Sequence, residues 1–147
     1  MGRRAARDAR STRRGATLTA FVDTNVLIRH LTGDPPAMAR RATALLASSQ
    51  QLLLTDLVVA ECVYVLESFY EVARPEVAAL MRAAIAAAGI ETVDPSILLR
   101  ALAVYELDRL DFAEAYLVAQ AEATGVGAIA SFDRPVDRVG SVRRLEP

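Results

Sequence analysis

A chain of 147 residues, 53% of them apolar, holds enough material for one domain that buries its own core without disulfide or metal staples. Its single cysteine, Cys62, excludes an intramolecular disulfide and a thiolate metal cluster, and fits a reducing, cytoplasmic setting. The net charge of −1 hides an asymmetry: residues 1–17 carry six arginines against one acid, the remainder eleven arginines against seventeen acids.

That basic segment, 1–17, reads as a disordered arm ahead of a folded domain over 18–147, with a nucleic-acid-binding role as the alternative. Arg3-Arg4 and Arg13-Arg14 raise a twin-arginine export signal, but the apolar run behind them is short and ends at Asp23. Ala6 stands where N-myristoylation requires Ser or Thr. No stretch approaches the ~18 uninterrupted apolar residues of a membrane span, so no membrane association is expected.

Residues 17–22 read as a first strand, followed by a helix from Asn25 to Leu31 that breaks near Gly33. Pro35-Pro36 opens a second helix running to about Ala47. Leu52–Leu54 is a short strand, and Asp56 to about Tyr70 a helix that is apolar on every side. A further helix spans Pro75–Ala88, then a strand Glu91–Val93. Asp94-Pro95 supplies a cap and first-turn proline for a helix to Glu106. Asp111 opens the helix Phe112–Thr124, and strands follow at Val126–Ala130 and Val142–Leu145, the last as an edge. Strands alternating with helices indicate an α/β fold: a three-layer α/β/α sandwich on a short, mainly parallel sheet covered on both faces.

In such sheets the chemistry gathers outside the carboxyl ends of the strands, and acids stand there. Asp23 directly follows Leu18-Thr19-Ala20-Phe21-Val22; a helix cap is its structural alternative. Glu61 sits within Leu57-Val58-Val59-Ala60-Glu61-Cys62-Val63-Tyr64-Val65-Leu66, where a carboxylate is costly unless paired or bound to a metal; a narrow solvated stripe is the alternative. Asp111 and Glu114 have capping-box spacing, and Asp133, past Val126–Phe132, could be an ordinary turn residue. Together these acids, carried by separate segments, are expected to converge on one rim and to need a cation. Hard oxygen donors without a histidine or thiolate cluster favour Mg²⁺ or Mn²⁺, which suits phosphodiester hydrolysis.

The blocks Phe21-Val22-Asp23-Thr24-Asn25-Val26-Leu27, Leu57-Val58-Val59-Ala60-Glu61, Leu110-Asp111-Phe112-Ala113-Glu114-Ala115 and Ala130-Ser131-Phe132-Asp133 resemble the PIN-domain signature, most closely that of VapC-like toxins. The resemblance covers about residues 18–145 and implies an endoribonuclease that uses Mg²⁺ or Mn²⁺. By motif match it implies Asp23 as first metal ligand, Glu61 as second acid, Glu114 as third and Asp133 as fourth, with Ser131 as a hydroxyl neighbour. Asp111 is the other claimant to the third position. It further implies a homodimer, an RNA substrate, and a cognate antitoxin protein contacting the apolar helices over 56–70 and 75–88.

Haloacid-dehalogenase-type phosphatases and receiver domains also place Asp after a first strand, but both require a lysine, and all 17 cationic residues here are arginine. A P-loop nucleotidase falls for want of the same lysine and its glycine loop. The reading that survives beside the nuclease is a PIN fold that binds RNA or a partner without cutting. Arg29, Arg134 and Arg138 are either phosphate-steering groups near the rim or plain surface charges. His30, the only histidine, reads as structural or exposed. Few aromatics, 5%, argue against an extended stacking platform for bases.

Overall fold

The computed structural model describes residues 17–48 and 50–147; the basic segment over 1–16 lies outside them. The elements run β1 (Leu18–Phe21), α1 (Thr24–Thr32), α2 (Pro36–Leu46), β2 (Gln51–Leu53), α3 (Asp56–Ser68), α4 (Arg74–Ala86), β3 (Ile90–Glu91) and α5 (Pro95–Ala103). A π-helical turn (Val104–Asp108) extends α5, followed by α6 (Phe112–Thr124), β4 (Ala128–Ala130), a 3-10 turn (Arg134–Arg138) and β5 (Arg143–Leu145).

Local chemistry accounts for most boundaries. Gly33 and Gly125 end α1 and α6 with φ of 71° and 76°, where a side chain would be strained. Asp94 caps α5, its Oδ1 accepting from the N–H groups of Ser96 and Ile97 at 3.1 and 3.3 Å. The expected helix to Glu106 is interrupted at Ala103 by the π-turn, which leads to Arg109 in a left-handed conformation (φ 59°).

Every strand pairing is parallel, as expected, and the helices with these short strands make the α/β/α fold. The sheet, however, is in two pieces: β1-β2-β3, and β4-β5. Among the described residues β1 is hydrogen-bonded to β2 only. All four of its residues are exposed, including Phe21 at 71%, so β1 is an outer strand rather than one covered on both faces.

The core is carried by α3 through α6. Val59, Cys62, Val63 and Leu66 of α3 are sealed against Val77, Ala78 and Met81 of α4, with Leu98 and Leu102 of α5 and Ala115 and Val118 of α6 in the same cluster. Each fully buried Val, Leu or Met contributes roughly 1.5–3 kcal/mol relative to exposure. The exposed side of α3, by contrast, carries Leu57, Glu61 and Tyr64. Glu61 therefore does not stand on a helix buried all round; its apolar neighbours Leu57 and Tyr64 are the residues that α3 leaves in solvent.

One arginine ties this scaffold to the segment that delivers Asp111. Arg74, at the start of α4, donates through Nη1 to the carbonyls of Tyr105 and Leu110 at 2.7 and 2.6 Å. Its guanidinium lies 4.3 Å from the Tyr105 ring centroid and Nη2 is 3.6 Å from Glu67. The π-turn and the residue before Asp111 are thus fastened to a helix from elsewhere in the chain.

Candidate active site

Each of the first four strands is followed within three residues by an aspartate: Asp23, Asp56, Asp94 and Asp133. Their fates differ. Asp94 is a helix cap, and Asp56 accepts from the Tyr116 hydroxyl, which is itself bonded by Gln120 at 2.9 Å. Asp23 and Asp133 occupy cap positions of α1 and the 3-10 turn, yet neither side chain makes a capping hydrogen bond. The structural alternative for Asp23 is therefore not realised, and both carboxylates remain available for other partners.

Asp23 opens a cleft of about 510 Å³ lined by Thr24, Asn25, Glu61 and Tyr64 among others, with no basic residue on its walls. Thr24 is buried at the first position of α1 and donates from Oγ1 to Glu61 Oε2 at 2.5 Å. A β1–α1 turn and the exposed face of α3 are thereby joined at the acid. Behind them, the Cys62 thiol is pushed up to about 12 by burial first and then by the negative charges of Glu61 and Asp23. Cys62 is consequently a packing residue and stays protonated.

The other expected acids are neighbours of one another. Glu114, on the first turn of α6, lies beside Asp133. Its carboxyl is raised above the usual range by burial, then by the hydrogen bond and charge of Asp133 and the charge of Asp111, with the Asp111 N–H opposing. Asp111 is exposed and its side chain makes no cap bond, so the reciprocal capping box is not closed. Ser131 Oγ accepts from the Asp133 N–H at 2.9 Å and shapes the turn that carries this acid.

Asp23 and Glu61 thus line one cleft, and Glu114 has Asp133 and Asp111 as its charged neighbours. Among the described residues no three His, Cys, Asp or Glu side chains stand close enough together to hold a metal ion. No hydrogen-bonded ladder ties β1, which delivers Asp23, to β4, which delivers Asp133. The donors still fit a hard divalent cation by type. Mg²⁺ keeps most of its water and commonly takes one or two carboxylates together with substrate phosphate, which either pair supplies. The repulsion that raises the Glu114 carboxyl beside Asp133 is of the kind a bound cation relieves.

Of the three arginines with a possible steering role, Arg138 is engaged by the backbone, donating to the carbonyls of Asp108 and Arg109 at 3.5 and 3.1 Å. Arg134 is exposed, and Arg29 lines a separate cavity between α1 and α2. His30 Nδ1 lies 2.8 Å from Thr43 Oγ1, a link between those helices, as a structural role requires. Thr24 and Asn25 are the cleft residues to which sequence reasoning gave no role of their own. The signal was present in three polar residues crowded between two apolar runs, but nothing local showed that Thr24 reaches across 37 positions to Glu61.

No helix among the described residues is long and apolar enough to cross a membrane. No curated protein matches the chain. A family model described as "PIN domain" matches residues 20–142, a span that contains every strand-end aspartate and both acid pairs. The chain belongs to the PIN-domain family, whose members are generally nucleases and often belong to toxin–antitoxin systems.

Proposed function

We propose that this protein is an endoribonuclease dependent on Mg²⁺ or Mn²⁺, the toxin of a toxin–antitoxin pair acting in the cytoplasm. The observation that carries the reading is the cleft lined by both Asp23 and Glu61, the latter held by Thr24, without a basic residue on its walls. Asp23 and Glu61, with Glu114, Asp133 and Asp111, are the residues that would hold the cation. When bound, the cation activates water for attack on the phosphodiester and neutralises charge on the leaving oxygen. Thr24 fixes the Glu61 carboxylate, and the exposure of Glu61 and Asp23 leaves them open to substrate.

The family's frequent place in toxin–antitoxin systems supports the toxin role. For a homodimer and an antitoxin, support comes from α3 and its end, where Leu57, Tyr64 and Phe69 are each at least 70% exposed. Of the large apolar side chains of α4, Val77, Met81 and Ile85 are by contrast buried in the core and Leu80 is half-buried against it.

The test is incubation of purified protein with a mixed RNA pool, with and without Mg²⁺ or Mn²⁺, beside Asp23→Ala. Cleavage that needs the metal and disappears in the variant is the expected result. Metal-independent RNA binding without cleavage by folded protein would replace this reading with the non-cutting binder.

A further inference from the structure

Beside the acidic cleft lies a cavity of opposite charge. It measures about 350 Å³ and is lined by Arg29, Arg41 and Asn25 over an apolar wall that includes Val26, Met38 and Leu45. Asn25 lines both spaces, so the two adjoin at the first turn of α1. Asn25 and Arg29 are one helical turn apart and share a face of α1, while Arg41 comes from α2.

Neither arginine is neutralised: among the described residues neither forms an ion pair. Arg29 Nη1 donates only to the Asp34 carbonyl, at 3.2 Å, and its Nε is buried with no hydrogen-bond partner. A buried donor on a cation is costly to leave unmade, and an anionic oxygen in the cavity would satisfy it. The molecule's other guanidiniums show the contrast: those of Arg82, Arg100 and Arg144 are each matched by carboxylates.

We propose that this cavity is a nucleotide subsite, taking one nucleotide of a single-stranded RNA next to the phosphodiester presented to Asp23 and Glu61. Arg29 and Arg41 hold the backbone phosphate, the Asn25 amide bonds to base or ribose, and the Val26–Met38–Leu45 wall packs the base face. Size and charge select this occupant. The volume stands at the low end of small-ligand cavities, about 300–1,000 Å³, and two uncompensated guanidiniums match phosphate. The subsite also resolves an electrostatic difficulty, since a polyanion approaching an acidic cleft needs positive charge at its edge. The proposal rests on the nuclease reading for its geometry, but not for its test.

The test measures binding of a short, fluorescently labelled, mixed-sequence single-stranded RNA in EDTA, as a function of salt, to full-length wild type, Arg29→Gln, Arg41→Gln and Arg40→Gln. Arg40 lies one residue from Arg41 but lines a different cavity with His30, so its variant removes the same charge elsewhere. Arg29→Gln and Arg41→Gln are expected to weaken binding roughly five- to tenfold, each lowering the slope of log K against log salt by about 0.7. Arg40→Gln should stay within about twofold of wild type. Should partly buried Arg29 prove necessary for folding, Arg41, on the surface, carries the test.

Equal binding by wild type, Arg29→Gln and Arg41→Gln overturns the subsite, and is the outcome if the wall instead receives an apolar helix of a protein partner. An equal loss in all three variants also overturns it, showing a diffuse charge effect. A parallel assay with Mg²⁺ separates the two readings. Cleavage by wild type with no arginine effect on binding leaves the nuclease and removes the subsite. Arginine-dependent binding with no cleavage leaves the subsite and removes the nuclease.

Discussion

Arg74 offers the sharpest test of how the scaffold delivers Asp111, and Arg74→Met is the change to make. Methionine keeps much of the aliphatic volume and removes the charge and all donors. Two charge-assisted hydrogen bonds are lost, to the Tyr105 and Leu110 carbonyls of a buried segment, each worth about 1.5–3 kcal/mol. The stacked contact on Tyr105 adds roughly 0.5–2 kcal/mol. The Glu67 contact at 3.6 Å adds little at this exposure, the Arg74 side chain being 21% accessible. Water reaching the freed carbonyls and the methionine packing on Tyr105 return part of the loss, leaving a net destabilisation of about 3 kcal/mol. For a domain of this size that is a fall in Tm of roughly 6–12 °C. Denaturant unfolding followed by circular dichroism reads it as a lower midpoint at unchanged slope. Arg74→Lys should fall between, because one ammonium cannot span two carbonyls and stack on the ring as the planar fork does. A midpoint for Arg74→Met within experimental scatter of wild type would refute the clamp.

Three further outcomes follow from other parts of the molecule. Thr24→Val fills the same buried volume but removes the hydroxyl that holds Glu61; since Glu61 is exposed and water replaces the bond, stability should change by less than about 1.5 kcal/mol. RNA cleavage should nevertheless drop about tenfold in kcat with KM little changed, and Thr24→Ser should restore it; an unchanged kcat would detach Thr24 from the site. Cys62 is wholly buried, so native protein should resist a thiol-alkylating reagent at mildly alkaline pH and react once unfolded in guanidinium chloride; fast native labelling, read by mass, would contradict the packing of α3. The Glu122 carboxyl is held below its usual value by the two Arg100 bonds of 2.8 Å, helped by Ser141. A depressed folded pKa contributes stability that is present above the unfolded carboxylate value, about 4.3, and is lost as pH falls through the folded one. Glu122→Gln should therefore cost about 0.5–1 kcal/mol at neutral pH and nothing well below pH 4, and a deficit independent of pH would rule out the ion pair as its source.

Short-range chemistry made much of the fold legible. Gly33 and Gly125 stop their helices, and Asp94-Pro95 starts one, because these residues act on their own backbone within a turn. The acids after β1 and β4 were legible for the same reason: a polar residue closing an apolar run marks a strand's end, and the PIN-domain match covers both. What could not be read depends on partners distant in sequence. The strand pattern over 18–21 is the same whether one edge or both are paired, so the division into two sheets left no trace in the residues. The apolar run around Glu61 suggested burial on all sides, whereas Leu57 and Tyr64 are in solvent and Val59, Cys62 and Val63 turn inward. The Thr24–Glu61 bond and the Arg74 clamp join residues 37, 31 and 36 positions apart, beyond any local periodicity.

Asp23 with Glu61, and Glu114 with Asp133, would serve one cation-dependent nuclease. The most direct measurement compares the rate of RNA cleavage in Mg²⁺ or Mn²⁺ for wild type, Asp23→Asn, Asp133→Asn and the double variant. If the pairs act as a unit, each single change lowers the rate by at least about a hundredfold and the double falls no further, because residues acting together are not additive. Wild-type cleavage by Asp133→Asn, or losses that multiply in the double variant, would contradict that claim and leave the Asp23–Glu61 cleft to act alone.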